Sequence, residues 1–214
     1  MVRRATRKQR GRYTKKRKQI ILVATEGDNK TEKTYLQEIN RIIQDVSIVF
    51  ADGNSTDPIN MVEDTVRTAD KRGFDTEYGD KAFIVFDADF NKESQIVEAR
   101  KLANDNGFQL VISNPCFEVW LLLHFRYSSK GYQSNDEVIN EIKNRWPEYR
   151  KNIGSFQGIL DRTEMAVDNA KKLEAFHDSV NPKTDAEKRN PSTDVYKLID
   201  LIWPTGGDAV DTDI

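Results

Sequence analysis

The chain has 214 residues, of which 37% are hydrophobic, enough for one core with a smaller appendage. No apolar run approaches the ~20 residues that a helix needs to cross a bilayer, so a membrane-spanning protein is not expected. Cys116 is the only cysteine, which excludes an internal disulfide and a cysteine-based zinc cluster and favours a reducing, cytoplasmic setting.

The net charge of −2 conceals an uneven distribution. Residues 1–18 hold ten Lys or Arg and no acidic side chain, so the rest of the chain carries 23 basic and 35 acidic groups. We predict a flexible basic arm that binds nucleic-acid phosphates, with Tyr13 able to stack on a base. A solvated tail without a ligand is the alternative. The predicted phosphate-binding residues are Arg3, Arg4, Arg7, Lys8, Arg10, Arg12, Lys15, Lys16, Arg17 and Lys18.

Strand and helix patterns alternate after the arm. Gln19–Thr25 (QIILVAT) is apolar without alternation, as in a strand covered on both faces. Apolar residues then recur at helical spacing over residues 35–43, and residues 47–50 predict a second strand. Asp57 and Pro58 predict the cap and first residue of a second helix, which Gly73 ends.

The same alternation continues to about residue 112. Residues 83–86 predict a third strand, 93–104 a third helix and 108–112 a fourth strand. The resulting βαβαβαβ order predicts an α/β fold with a mainly parallel four-stranded sheet flanked by helices. Asn114-Pro115 resembles another helix start, and residues 116–125 are apolar enough to pack in the core.

Three further helices are predicted beyond Arg126, joined by polar segments. They span residues 135–146, 163–175 and 194–203. We therefore expect four regions in the chain. These are a basic arm (1–18), an α/β core (19–126), a helical extension packed on the core (127–204) and an acidic tail (205–214).

Acidic and amide side chains follow several predicted strands. Glu26 follows the first strand, Asp87 and Asp89 the third, and Asn114 with Glu118 the fourth. The carboxyl ends of parallel strands meet at one edge, and neighbouring first and third strands bring Glu26 close to the two aspartates. Carboxylates this close favour a cation, and oxygen ligands favour Mg²⁺ or Mn²⁺ over Zn²⁺.

Each carboxylate also has an ordinary structural interpretation. Asp is common in turns and at helix caps after strands, and Glu118 can complement a helix N-terminus. A metal site at this edge and a set of unrelated turn and cap residues both remain open at this point.

Three segments resemble the RloB family, which is related to the TOPRIM domain of topoisomerases, primases and overcoming-lysogenization-defect nucleases. They are ILVATEGDNKTEKTYL (21–36), VFDAD (85–89) and ISNPCFEVWLLLHF (112–125). The resemblance covers about residues 19–200 and implies a TOPRIM-like fold. It also implies an Mg²⁺ site with Glu26 as the acid/base carboxylate and with Asp87 and Asp89 as ligands.

The resemblance also bears on activity and setting. Related TOPRIM proteins cleave nucleic acid, often beside an ATPase partner, and family members lie near restriction and phage-defence genes. A glycine commonly follows the aspartate pair in topoisomerase-type sequences, whereas Phe90 follows here, and no tyrosine is assignable as a strand-cleaving nucleophile. Hydrolysis by metal-activated water is therefore the expected chemistry. The chain has no Walker-type P-loop, so ATP hydrolysis would need another chain, such as an ATPase from the same operon.

Several residues near the predicted site have two interpretations. Glu32 and Glu118 are weaker candidate metal ligands, or helix first-turn acids. Lys30, as a candidate catalytic residue, and Lys33 can meet a scissile phosphate or lie on the surface. His124 is predicted to be packed and hydrogen-bonded.

Three functions follow, in order of preference. The first is a metal-dependent nuclease acting on DNA or RNA in bacterial anti-phage defence. The second is a non-catalytic nucleic-acid-binding or sensor subunit with a structural acidic edge. The third is a nucleotidyl transferase or primase-like enzyme. The oligomeric state is open.

Overall fold

The computed structural model describes residues 17–27, 30–88, 93–151 and 155–203. The strands within these ranges are β1 (Gln19–Thr25), β2 (Val46–Phe50), β3 (Lys81–Asp87), β4 (Gln109–Asn114) and β5 (Ser192–Thr193). The helices are α1 (Lys30–Ile42), α2 (Pro58–Arg72), α3 (Glu93–Asp105), α4 (Glu118–Leu123), α5 (Asn135–Lys143), α6 (Gln157–Leu160), α7 (Thr163–Val180) and α8 (Val195–Ile202). A 3₁₀ helix covers Ala186–Lys188.

The sheet has the strand order β2-β1-β3-β4-β5 over the described residues. The first four strands are parallel, which confirms the predicted α/β fold, and β5 adds a short antiparallel edge that the sequence did not predict. β1 and β3 are neighbours, with Thr25 opposite Val85. Their carboxyl ends therefore meet at one edge of the sheet, as predicted.

Helices cover both faces of the sheet. Ile21 and Val23 of β1 belong to a core shared with α1, α4 and the later helices. Leu22 and Ala24, which point the opposite way, belong to a second core shared with α2 and α3. This two-sided burial explains why β1 is apolar without alternation.

Local capping chemistry sets the ends of α2. The Asp57 side chain accepts hydrogen bonds from the backbone N–H groups of Ile59 and Asn60, and Pro58 occupies the first turn. At the other end Gly73 is left-handed, with φ of 64°, and its N–H donates to the Ala69 carbonyl. The predicted start and end of this helix are confirmed.

The later helices pack on the sheet and on α4. All six residues of α4 are buried, as predicted, but the helix begins at Glu118 rather than at Pro115. Helices α5 and α7 pack on α4, and α8 packs on β4. No helix in the described ranges combines the length and apolarity needed to cross a membrane.

Candidate functional site

Two predicted site residues meet at the carboxyl edge of β1 and β3. Glu26 follows β1 directly, and Asp87 is the last residue of β3. The backbone N–H of Asp87 donates to Oε2 of Glu26 at 3.5 Å. The parallel pairing of β1 with β3 therefore places these two residues beside each other.

A third carboxylate joins them through the start of α4. Oδ1 of Asp87 accepts a 2.8 Å hydrogen bond from the backbone N–H of Phe117. Glu118 is the next residue and is almost fully buried. The chain thus brings Glu118 to the edge where Glu26 and Asp87 lie.

The two oxygens of Glu118 have different surroundings. Oε1 accepts a 2.8 Å hydrogen bond from the Tyr149 hydroxyl. Oε2 is buried and has no hydrogen-bond partner among the residues that the structure describes. Burying a carboxylate oxygen without a donor is costly, so this atom is suited to binding a cation or a proton.

Glu32 is the fourth carboxylate and lies buried in the first turn of α1. Burial raises the pKa of Glu32 to about 8; its own backbone N–H opposes this rise, while the charges of Glu118 and Glu26 add to it. The Glu32 carboxyl group therefore keeps its proton to a higher pH than an exposed glutamate does. The shift also reports that Glu32, Glu118 and Glu26 lie within electrostatic range of one another.

Lys151 supplies a positive charge to the same place. Its Nζ lies 3.9 Å from Oε1 of Glu118. Burial alone would lower the pKa of Lys151, but the negative charges of Glu118 and Asp87 outweigh it, and the pKa is raised. Burial raises the pKa of the Tyr149 hydroxyl, and so does the charge of Glu118.

Three nearby residues do not join the carboxylates. The Asn114 side chain donates to the Glu187 carbonyl at 2.7 Å. His124 is buried and hydrogen-bonded to Tyr35 and to the Trp120 carbonyl, as predicted. Lys33 places its ammonium 5.5 Å from the centre of the Phe50 ring.

Some predicted site residues lie outside the described residues. They are Asp89 and the arm up to residue 16. Lys30 is the first residue of α1, but its side chain is not among the described parts. Arg17, at the base of the arm, donates to the carboxylate of Asp80 and to the Gly73 carbonyl. It lies just before β1, at the end of that strand opposite Glu26.

The donor chemistry of the site suits a hard divalent cation. Glu26, Glu32, Asp87 and Glu118 offer carboxylate oxygens, which Mg²⁺ and Mn²⁺ prefer. Within the described ranges, however, no three His, Cys, Asp or Glu side chains are arranged to hold a metal ion.

Tyr149 and Lys151 were not predicted from the sequence. They lie more than thirty positions after Glu118, in a segment (PEYRK, 147–151) that follows the predicted helix and has no helical or strand periodicity. The sequence carries no signal that links this segment to the strand ends.

The fold and this cluster define a Rossmann-like α/β protein with a carboxylate site at the carboxyl edge of its parallel strands. A family model described as RloB-like protein matches residues 21–202, most of the chain. The chain therefore belongs to the RloB-like family, and the predicted family is confirmed. Comparisons with curated proteins and with solved structures gave no significant match.

Proposed function

We propose that the protein is a metal-dependent nuclease that hydrolyses phosphodiester bonds in DNA or RNA. The observation that carries this proposal is the convergence of Glu26, Asp87 and Glu118 at one sheet edge, the last two buried, with the buried Glu32 within electrostatic range of Glu26 and Glu118. Isolated turn and cap residues have no physical reason to gather in this way, because buried carboxylates destabilise one another.

The residues of this edge have separate tasks in the proposed site. Asp87 and Glu118 would contribute oxygens to bound Mg²⁺ or Mn²⁺, together with Asp89, which follows the same strand, and Glu32 is a weaker candidate ligand. The cation would supply activation of water and stabilisation of the leaving oxygen. The buried Oε2 of Glu118, which has no donor among the described residues, supports this assignment.

Glu26, the most exposed of the four carboxylates, would act as the general base. It is half-buried, so it faces both the buried acids and solvent. A carboxylate in that position can accept a proton from an attacking water. Lys30 remains a predicted catalytic residue at the start of α1.

The proposed setting is bacterial anti-phage defence in the cytoplasm, with an ATPase from the same operon as a candidate partner. Membership of the RloB-like family supports this setting. Plaque counts on cells that carry the intact locus or the Asp87→Asn locus test it. Equal plaque counts would count against a defence role for this site.

The main test is cleavage of labelled single- and double-stranded DNA and RNA with Mn²⁺, Mg²⁺ or EDTA. Asp87→Asn is the informative variant, because its side-chain oxygen can still accept from the Phe117 N–H. It should reduce cleavage by more than about 100-fold, because replacing a direct metal ligand costs more than replacing a residue that only hydrogen-bonds to a ligand. Asp105→Asn, at the exposed end of α3, is the matched control and should cleave normally.

Two outcomes would contradict the nuclease. If a folded Asp87→Asn protein cleaves at the wild-type rate, the carboxylates take no part in the cleavage reaction. A wild-type protein that binds nucleic acid but never cleaves it would favour the non-catalytic binding or sensor subunit.

A further inference from the structure

Lys151 faces the buried carboxylates without forming a hydrogen bond to Glu118. Its Nζ is 3.9 Å from Oε1 of Glu118, too far for a hydrogen bond. Asp87 and Glu32 also act on its charge. The contact is therefore electrostatic, and it leaves the three donors of the ammonium able to meet another oxygen.

The side chains of Lys151 and Glu118 differ sharply in their exposure to solvent. The Glu118 side chain is 1% exposed, whereas the Lys151 side chain is 36% exposed. The lysine therefore reaches the carboxylates from the solvent side. A polyanionic substrate that approaches the site meets this ammonium at the boundary between solvent and the buried acids.

Tyr149 holds this segment in place. Its buried ring lies 5.4 Å from that of Trp146, and its hydroxyl donates to the same Glu118 oxygen that Lys151 faces. Arg150, between them, is exposed and donates to the carbonyls of Pro147 and Tyr149. The segment thus directs two donors toward one carboxylate and keeps the intervening guanidinium away from it.

Among the side chains that the structure describes, Lys151 is the lysine that forms an ion pair with these carboxylates. Lys33 lies over Phe50 instead. The carboxylates repel the phosphate of a substrate, so a positive side chain close to them favours phosphate binding at this edge.

We propose that Lys151 binds a non-bridging oxygen of the scissile phosphate, and that Tyr149 is a positioning residue that holds Glu118. The proposal rests on the proposed nuclease function and deepens it. Without substrate the ammonium balances the charge of the carboxylates. With substrate it stabilises the negative charge of the phosphoryl oxygens in the transition state, and it keeps its proton throughout.

The test compares Lys151→Gln with Lys143→Gln, an exposed lysine at the end of α5. Three properties are measured on the full chain. They are Mn²⁺ binding by electron paramagnetic resonance, Mn²⁺-dependent binding of a non-cleavable methylenephosphonate oligonucleotide, which keeps both non-bridging oxygens, and cleavage. Lys151→Gln should lose about 100-fold in cleavage, the cost of one oxyanion donor. Its Mn²⁺ affinity should rise about tenfold, because a cation facing the carboxylates has gone.

Two more variants separate binding from structure. Lys151→Arg keeps the charge and should recover much of the oligonucleotide binding that Lys151→Gln loses. Tyr149→Phe keeps the packed ring and should lower kcat with little change in KM. Circular dichroism checks that each variant is folded, and Lys151→Met, which keeps the aliphatic stem, replaces Lys151→Gln if that variant unfolds.

The proposal is overturned if Lys151→Gln binds the oligonucleotide and cleaves as Lys143→Gln does, or if its Mn²⁺ affinity falls. A wild-type protein that cleaves no substrate would instead reject the nuclease. In that case the loss or retention of Mn²⁺-dependent oligonucleotide binding in Lys151→Gln still decides whether Lys151 binds phosphate.

Discussion

The backbone N–H of Phe117 donates a 2.8 Å hydrogen bond to Oδ1 of Asp87, which joins the end of β3 to the start of α4. Both residues are buried. One carboxylate oxygen at the candidate site therefore stabilises the fold directly. It also holds the backbone at Phe117, the residue before Glu118. Asp87 has a structural and a proposed chemical task at once.

Substitutions at Asp87 should separate these two tasks. Asp87→Ala leaves the buried Phe117 N–H without its acceptor and should lower the free energy of unfolding by about 1–3 kcal/mol. Asp87→Asn keeps an acceptor oxygen and should lose clearly less. Urea unfolding measures both, and equal losses would show that the hydrogen bond does not matter for stability.

Gly27 is required at the bend beside Glu26. Its φ is +42°, and a Cβ there would lie 2.8 Å from Cγ2 of Thr56. Gly27→Ala should therefore destabilise the fold by about 1–3 kcal/mol and reduce any activity that depends on Glu26. Gly158→Ala is the control, since Gly158 lies in α6 with open space around its Cα. Similar melting temperatures for the two variants would contradict this prediction.

Much of the fold could be predicted because its signals are local or follow from general topology. The cap at Asp57, the proline after it and Gly73 mark the ends of α2 by chemistry that involves only a few neighbouring residues. The pairing of β1 with β3 follows from the common order of doubly wound sheets, and it placed Glu26 beside Asp87.

The features that could not be predicted depend mainly on interactions between distant segments of the chain. Tyr149 and Lys151 reach Glu118 because the chain after α5 folds back onto α4, and no periodic pattern encodes that return. β5 has two residues, too few to leave a strand pattern. The start of α4 was predicted at a proline, a local signal, but the helix begins three residues later, after the Phe117 N–H that binds Asp87.

His124 is held in one tautomer by its two hydrogen bonds. Nδ1 lies 3.0 Å from the Trp120 carbonyl oxygen, which can only accept, so Nδ1 carries the proton. Nε2 then accepts from the Tyr35 hydroxyl at 3.1 Å. Burial lowers the pKa of His124 from 6.5 to about 4. Between these pH values the unfolded chain binds the proton more readily than the folded protein does.

Stability should therefore fall as the pH drops from about 6.5 to 4, and His124 should account for about 3 kcal/mol of that loss. His124→Gln cannot titrate, so its free energy of unfolding should depend less on pH within this window. Urea unfolding at several pH values gives the difference between the two proteins. Parallel pH curves would exclude His124 as the cause.

The base of the basic arm is fixed at the edge of the sheet opposite the carboxylates. Arg17 pairs with Asp80, whose side chain also accepts from the Ile20 N–H, and the Arg17 guanidinium lies 4.8 Å from the Tyr78 ring centre. Glu26 lies beyond the other end of β1, a strand that is itself about 20 Å long at strand spacing. The described base of the arm, at Arg17, therefore lies away from the carboxylates.

The arm should consequently add affinity without changing the chemistry of cleavage. Replacing Arg3, Arg4 and Arg7 with Gln, and keeping Arg17 because it pairs with Asp80, should reduce the slope of log K against log salt by about 0.7–0.9 for each phosphate that the arm no longer neutralises. Affinity should fall for every sequence alike, while cleavage at saturating substrate stays unchanged. Lys143, Lys172 and Lys183, exposed residues of the later region, serve as the matched triple replacement and should leave the slope unaltered. An unchanged slope in the arm variant would assign the arm a role other than phosphate binding.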